Sequence, residues 1–251
     1  MKKMMLFLVV IFNLFTIKVM GSENLLKSKL IFNVDNDWNM QGLEYYEENF
    51  IIGYDRGKGN GVIEIRNKEG KILRRSDLLK IGHSSELVVN KNNGKLYVSN
   101  GGGKTGTKIY EIDLKDNINV EKEYDFSELG NSGLVTIDQE KNNFIIHTAK
   151  DDKGSHKFTI CGLNKEQIKS FNIDNIGVPQ GIQYLNGKIY FYTNDRITVI
   201  DVEKEMILKG YNIEEKGESE GLAIEREENG IKLYYGYNKG NRIYEATIKE
   251  E

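Results

Sequence analysis

Short apolar runs recur along this chain, each bounded by turn-forming residues. Five are closely alike: Phe50-Ile51-Ile52-Gly53-Tyr54, Leu96-Tyr97-Val98-Ser99-Asn100, Phe144-Ile145-Ile146-His147-Thr148, Ile189-Tyr190-Phe191-Tyr192-Thr193 and Leu233-Tyr234-Tyr235-Gly236-Tyr237. Runs this short, rich in β-branched and aromatic residues, predict strands rather than helices. Asn-Asn-Gly at 92–94, Asn186-Gly187 and Asn229-Gly230 stand just before three of them. Asn and Gly tolerate positive φ, so these pairs predict tight hairpins.

A second pattern precedes each run. A polar residue, then Gly, then Leu or Ile occurs at Gln41-Gly42-Leu43, Ser132-Gly133-Leu134, Gln180-Gly181-Ile182 and Glu220-Gly221-Leu222, with the variant Ser85-Glu86-Leu87. The central positions are spaced by 44, 47, 48 and 40 residues, the length of a four-stranded propeller blade. A third strand follows in each unit, and a fourth, more charged one in the first four. The fifth unit runs out after three strands. Lys27 to Val34 is strand-like and has no partner in its own repeat, so it is expected beside the strand around Ile243, closing the ring. The predicted fold is all-β: one five-bladed β-propeller over residues 22–251, closed by the amino-terminal strand. Helix is expected only as a turn near Ser76 to Lys80 or Lys165 to Ser170.

Composition agrees. Glycine is abundant (26), proline occurs once, and Tyr and Phe number 14 and 10. Residues 1–21 read as a signal peptide: Lys2 and Lys3, then an apolar run from Met4 to Ile17, then Val19-Met20-Gly21. That run is shorter than the ~20 residues a spanning helix needs. A secreted or periplasmic protein is expected, not inserted in a membrane after cleavage. Without this segment the chain holds 32 basic and 38 acidic residues, a net charge of −6, which argues against nucleic acid as a partner. The single cysteine, Cys161, cannot form an internal disulfide and is expected to be buried and inert.

The loops entering the first strand of each blade should share one face with those joining the second and third strands. That face forms the channel mouth, where a small-molecule or glycan ligand is expected. Glu86 places a carboxylate where the other four blades have glycine, with His83 just upstream. Two readings follow: a general base oriented by His83, or an acid filling the channel. Glu220 supplies a second carboxylate, and a Glu86/Glu220 pair could serve glycoside hydrolysis at the right separation. The candidate catalytic residues are therefore Glu86, His83 and Glu220. The candidate ligand contacts are Gln41, Ser85, Ser132, Gln180 and Asn194, with Tyr54 and Tyr237 as flat apolar surfaces near the mouth.

Other motifs fall away. Gly101-Gly102-Gly103-Lys104-Thr105 lacks the first glycine of a phosphate loop, which would fall at Val98. Asp35-Asn36-Asp37 begins like a calcium loop, but Met40 stands where glycine is needed. His83, His147 and His156 lack zinc spacing. The residues name no cofactor and no metal.

Two resemblances emerge from these motifs. Met40-Gln41-Gly42-Leu43 followed by Gly61 to Arg75 is similar to the first blade of the glutaminyl cyclotransferase propellers, and Glu220-Gly221-Leu222-Ala223 shares their character. The family's Trp-Gly-Leu and Asn-Glu-Leu-Glu stretches have no counterpart here. Gly82-His83-Ser84-Ser85-Glu86-Leu87 with Lys95-Leu96-Tyr97-Val98-Ser99-Asn100 resembles secreted propellers of the helveticin J type. The first resemblance implies a cyclising transferase, the second binding at a cell surface, and both imply five blades.

Overall fold

The computed structural model describes residues 24–115, 117–149, 154–238 and 240–249. The expected signal peptide lies outside the described residues. So do Lys150 and Asp151, which sequence places on the mouth loops.

Five antiparallel sheets are arranged as blades, each with its first strand innermost. Blade 1 holds β3 (Asn39–Tyr46), β4 (Asn49–Gly57), β5 (Asn60–Arg66) and β6 (Ile72–Arg75). Blade 2 holds β7 (Glu86–Asn90), β8 (Lys95–Ser99), β9 (Lys108–Asp113) and β10 (Asn119–Asp125). Blade 3 holds β11 (Asn131–Asp138), β12 (Asn143–Ala149), β13 (His156–Gly162) and β14 (Gln167–Ile173). Blade 4 holds β15 (Gly181–Leu185), β16 (Lys188–Thr193), β17 (Arg196–Asp201) and β18 (Met206–Ile213). Blade 5 holds β19 (Ser219–Glu227), β20 (Gly230–Tyr237) and β21 (Arg242–Ile248).

The amino-terminal segment closes the ring twice over. β2 (Lys29–Asn33) pairs antiparallel with β21, Phe32 opposite Ile243, supplying the missing outer strand of blade 5. β1 (Asn24–Leu26) then runs parallel to β18 as a fifth strand of blade 4. Three residues of parallel pairing carry too weak a pattern to be read from sequence. Helix is confined, among the described residues, to a 3-10 turn at Ser127–Leu129, and the stretch after Lys165 forms the strand β14 instead.

The hydrophobic core is a ring of five clusters, one between each pair of neighbouring blades. Strand alternation explains this. Ile51 points to the interface with blade 2 and Ile52 to that with blade 5, while Phe144 and Ile146 face blade 2 and Ile145 faces blade 4. Both faces of a second strand are thus buried, so the run reads as continuously apolar rather than alternating. Cys161 sits in the cluster between blades 2 and 3, 1% exposed, and burial pushes its thiol up to about 12.

Candidate functional site

The inner strands crowd the axis closely enough that a side chain has no room at most of the repeat glycines. A Cβ on Gly42 would stand 2.1 Å from Leu87 Cδ1 and 2.8 Å from the Ser84 carbonyl oxygen. On Gly181 it would stand 2.7 Å from the backbone nitrogen of Leu222. At the equivalent position of blade 2 the side chain of Glu86 is accommodated because it reaches across toward blade 4. Its Oε2 accepts the Ile182 amide at 2.7 Å and its Oε1 the Leu87 amide at 3.1 Å. Glu86 is fully buried, and that burial holds its pKa well above the usual carboxylate range against the pull of the two amides.

Further along the axis, Glu44 accepts the Tyr45 and Val89 amides, at 2.7 and 3.0 Å. Burial raises it to about 7. Gln183 Nε2 donates to the Leu222 carbonyl at 2.9 Å. Glu86, Glu44 and Gln183 therefore tie together inner strands of different blades through the axis. Each end of the channel is left as a separate depression.

The depression at the mouth encloses about 720 Å³ of empty space, open solvent at its entrance included. Gln41, Ser85, Ser132, Gln180 and Glu220, one from each blade, all line it. In three blades a β-bulge sets the register there. One extra residue is accommodated between Met40 and Gly42, between Asn131 and Leu134, and between Glu220 and Leu222. Bulges re-aim side chains beside binding sites. Two of the three take left-handed backbone, at Gly221 (φ 67°) and Ser132 (φ 53°).

Each lining group has a defined neighbour. Gln41 Nε2 donates to Glu220 Oε1 at 3.1 Å and to its neighbour's carbonyl, Met40 O, at 2.9 Å. Ser85 Oγ lies 3.1 Å from Ser99 Oγ and donates to Gly133 O at 3.2 Å. Ser132 Oγ donates to Gly103 O at 2.5 Å. With its amide oriented to suit its surroundings, Gln180 Nε2 donates to Pro179 O and Ser219 O, at 3.2 and 3.3 Å. Asn194 does not line the cup. Its Oδ1 accepts the Val178 amide at 2.7 Å and so holds the Val178–Gln180 loop that forms one wall.

Glu220 is the most perturbed group facing the cup. It is 4% exposed, and burial with the nearby Glu218 carboxylate raises it to about 9, against the Gln41 hydrogen bond. At neutral pH it holds its proton. His83 also lines the cup, but it pairs with Asp55 (Nδ1 to Oδ2, 2.8 Å), not with Glu86. Asp55 stands on β4 and the two meet only through the fold, which sequence adjacency to Glu86 does not reveal.

The aromatic surfaces expected at the mouth are absent from it. Tyr54 and Tyr237 are both 0% exposed. Tyr54 donates to Glu64 Oε2 at 3.0 Å, and Tyr237 donates to Asp195 Oδ1 and Glu215 O at 3.1 and 2.9 Å. Both rings pack in the clusters between blades, where an aromatic face removes more surface from water than it would on the rim. Asn39, Leu134, Val178 and Pro179 line the cup without having stood out in the sequence.

Fold and site together define a five-bladed β-propeller with a polar cup at one channel mouth. Among solved structures the chain is similar to the crystal structure of Myxococcus xanthus glutaminyl cyclase, with a TM-score of 0.68 and 11% identity, over 90% of this chain and 100% of that one. It is also similar to a protein of unknown function from Bacteroides caccae, with a TM-score of 0.52 and 12% identity, over 84% of this chain and 82% of that one. At such identities the likeness shows the fold. No protein-family model matches the chain, and no curated protein sequence does. The glutaminyl cyclotransferase resemblance thus agrees in fold with a structural neighbour, and no sequence-family match supports the helveticin J resemblance.

Proposed function

We propose that the protein binds a small polar ligand, of the class of a sugar or cell-surface fragment, in the cup at the channel mouth. One observation carries this reading: five repeat-equivalent positions, Gln41, Ser85, Ser132, Gln180 and Glu220, converge on one cavity. Rigid blades presenting convergent polar groups in a concavity are the ordinary design of a binding site. In this reading Glu86, Tyr54 and Tyr237 belong to the scaffold, and Asn194 positions the wall. Secretion, as the amino-terminal segment suggests, would bring the cup to such ligands.

The test is calorimetric titration with neutral oligosaccharides. Binding that weakens in Gln41→Ala and Ser132→Val, with unchanged melting, supports the reading. Binding indifferent to both moves the site elsewhere on the surface.

The buried, protonated carboxyl of Glu220 favours a second reading, acid–base transfer. A neutral acid at pH 7 can give a proton to a leaving group, and its carboxylate can then take one from the attacking group. On an amino-terminal glutaminyl substrate, the α-amine would attack the side-chain amide carbon and close a lactam. The carbon–nitrogen bond of the amide would break, and ammonia would leave with the proton from Glu220. Ammonia release from a glutaminyl peptide, absent in Glu220→Gln, is the measurement. Glycoside hydrolysis by a Glu86/Glu220 pair gains no support, because both oxygens of Glu86 accept backbone amides away from the cup.

A further inference from the structure

The wall of the cup is unbalanced between acceptors and donors. Among the described residues it carries two carboxyl groups, Glu218 and Glu220, and no lysine or arginine. Glu220 is 96% removed from solvent by its surroundings, yet only its Oε1 has a partner, the Gln41 amide. Its Oε2 has none among the described residues. Gln180 directs its Nε2 to the Pro179 and Ser219 carbonyls. Three side-chain donors of the wall are already committed: Gln41 Nε2 to Met40 and Glu220, Ser85 to Gly133, and Ser132 to Gly103.

The geometry points to a ligand bearing a protonated primary amine, seated between Glu218 and Glu220. An ammonium group offers three donors and no acceptor, the complement of this wall. A carboxylate or phosphate would meet two acids, and a plain hydroxyl would leave part of the acceptor capacity unused. This rests on the binding reading above and names the chemistry of the ligand.

Entry of the cation should also displace the proton of Glu220, since a charge brought against a buried carboxyl favours its ionised form. The groups facing Glu220 are few. Glu218 lies two residues before it, Gln41 comes from β3, Gly236 stands opposite on β20, and Gln180 precedes β15. Across the cup stands His83, held by Asp55. Of these only His83 is basic.

Two sources share the chemistry, an amino sugar with its amine free and a peptide amino terminus. Matched probes separate them: chitosan trimer against its fully acetylated form, and triglycine against acetyl-triglycine. The expected result is that the free-amine member of at least one pair binds at least about tenfold tighter, the size of a charge-assisted hydrogen bond. That preference should shrink in both Glu218→Gln and Glu220→Gln. In the wild type the measured heat should differ between buffers of different ionisation enthalpy, reporting proton release. Equal or tighter binding of the acetylated members overturns the amine assignment and leaves the binding reading standing. Binding by none of the four probes, nor by neutral oligosaccharides, overturns both.

Discussion

Glu86 Oε2 accepts the backbone amide of Ile182 at 2.7 Å, joining residues 96 apart in sequence across the propeller axis. The bond explains why one blade departs from the glycine of the repeat. Four glycines let the inner strands close up, and the one side chain admitted there fills the space they leave and pairs two buried amides. Glu86→Ala should therefore leave the Ile182 and Leu87 amides with less than their native pairing and open a void at the axis. The expected loss is about 3 kcal/mol, from unpaired buried donors together with the cavity. Glu86→Gln, which keeps one acceptor, should lose less. Denaturant unfolding checks both, and ligand binding per folded molecule should survive in either. Binding abolished in a well-folded Glu86→Gln would return this residue to the site.

Gly221 carries two constraints at once. Its φ of 67° lies in the left-handed region, and a Cβ there would approach the Leu43 nitrogen to 2.5 Å and the Gly42 carbonyl carbon to 2.8 Å. These contacts are backbone, so no side-chain rotation relieves them. Gly221→Ala should cost more than the ~1–3 kcal/mol of ordinary overpacking. It should also displace Glu220, which the same bulge aims into the cup. Gly187→Ala is the control, since its φ of 77° carries the strain while nothing lies within 4 Å of the added Cβ. A smaller loss of melting temperature at 187 than at 221 isolates the cost of inter-blade contact.

The pair His147 and His156 gives the fold an acid limit. Their Nε2 and Nδ1 atoms lie 3.0 Å apart, and the Ile176 amide donates to His156 Nε2 at 3.2 Å. That amide requires His156 to carry its proton on Nδ1 and donate it to His147. Both rings pack against Phe191; burial lowers His156 to about 4 and holds His147 well below the ordinary imidazole range. The unfolded chain takes up these protons near pH 6.5 while the folded one does not. Stability is therefore complete above about pH 6.5 and is lost as pH falls toward 4. The double variant His147→Gln/His156→Gln should melt lower at pH 7 but show a shallower fall across that window. An equally steep fall would assign the acid limit to other groups. Because Ile176 begins the loop that leads to Val178 and Gln180, ligand binding should weaken over the same range.

The five blades, their length and the closure by the segment around Phe32 were legible because they rest on short apolar runs bounded by turns and a 40–48 residue repeat. Five lining residues of the cup were legible for the same reason, being one position of that repeat. What was not legible depends on tertiary geometry. The bulges at Gln41, Ser132 and Glu220 arise from register against the second strands, which leaves no local mark except Gly221. The His83–Asp55 pair brings together a strand of blade 1 and the loop entering blade 2. Tyr54 and Tyr237 read as rim residues because they end their strands, yet the blades bury each strand to its last ring. Glu86 stood out correctly as the exception to the repeat, but sequence distinguishes a carboxylate facing water from one facing an amide of the opposite blade only when the fold is known.

Glu220 sets the alkaline counterpart of the histidine limit. Its pKa is about 9 in the fold, raised first by burial and then by Glu218, against 4.5 for the free side chain. Between those values the unfolded chain has lost a proton that the folded one keeps, so folding takes up a proton and stability falls as pH rises. Above about pH 9 both states are ionised and the penalty stops growing. Glutamine mimics the protonated acid and still accepts from Gln41 Nε2, so Glu220→Gln should match the wild type near pH 5. It should become progressively more stable by comparison toward pH 9. Melting temperatures of the two proteins at pH 5, 7 and 9 decide it. Parallel curves would mean that Glu220 ionises in the fold as readily as in water, and the acid–base reading would lose the buried proton it depends on. A widening gap would show that the cup keeps a neutral acid through physiological pH, ready to exchange its proton for the charge of a ligand.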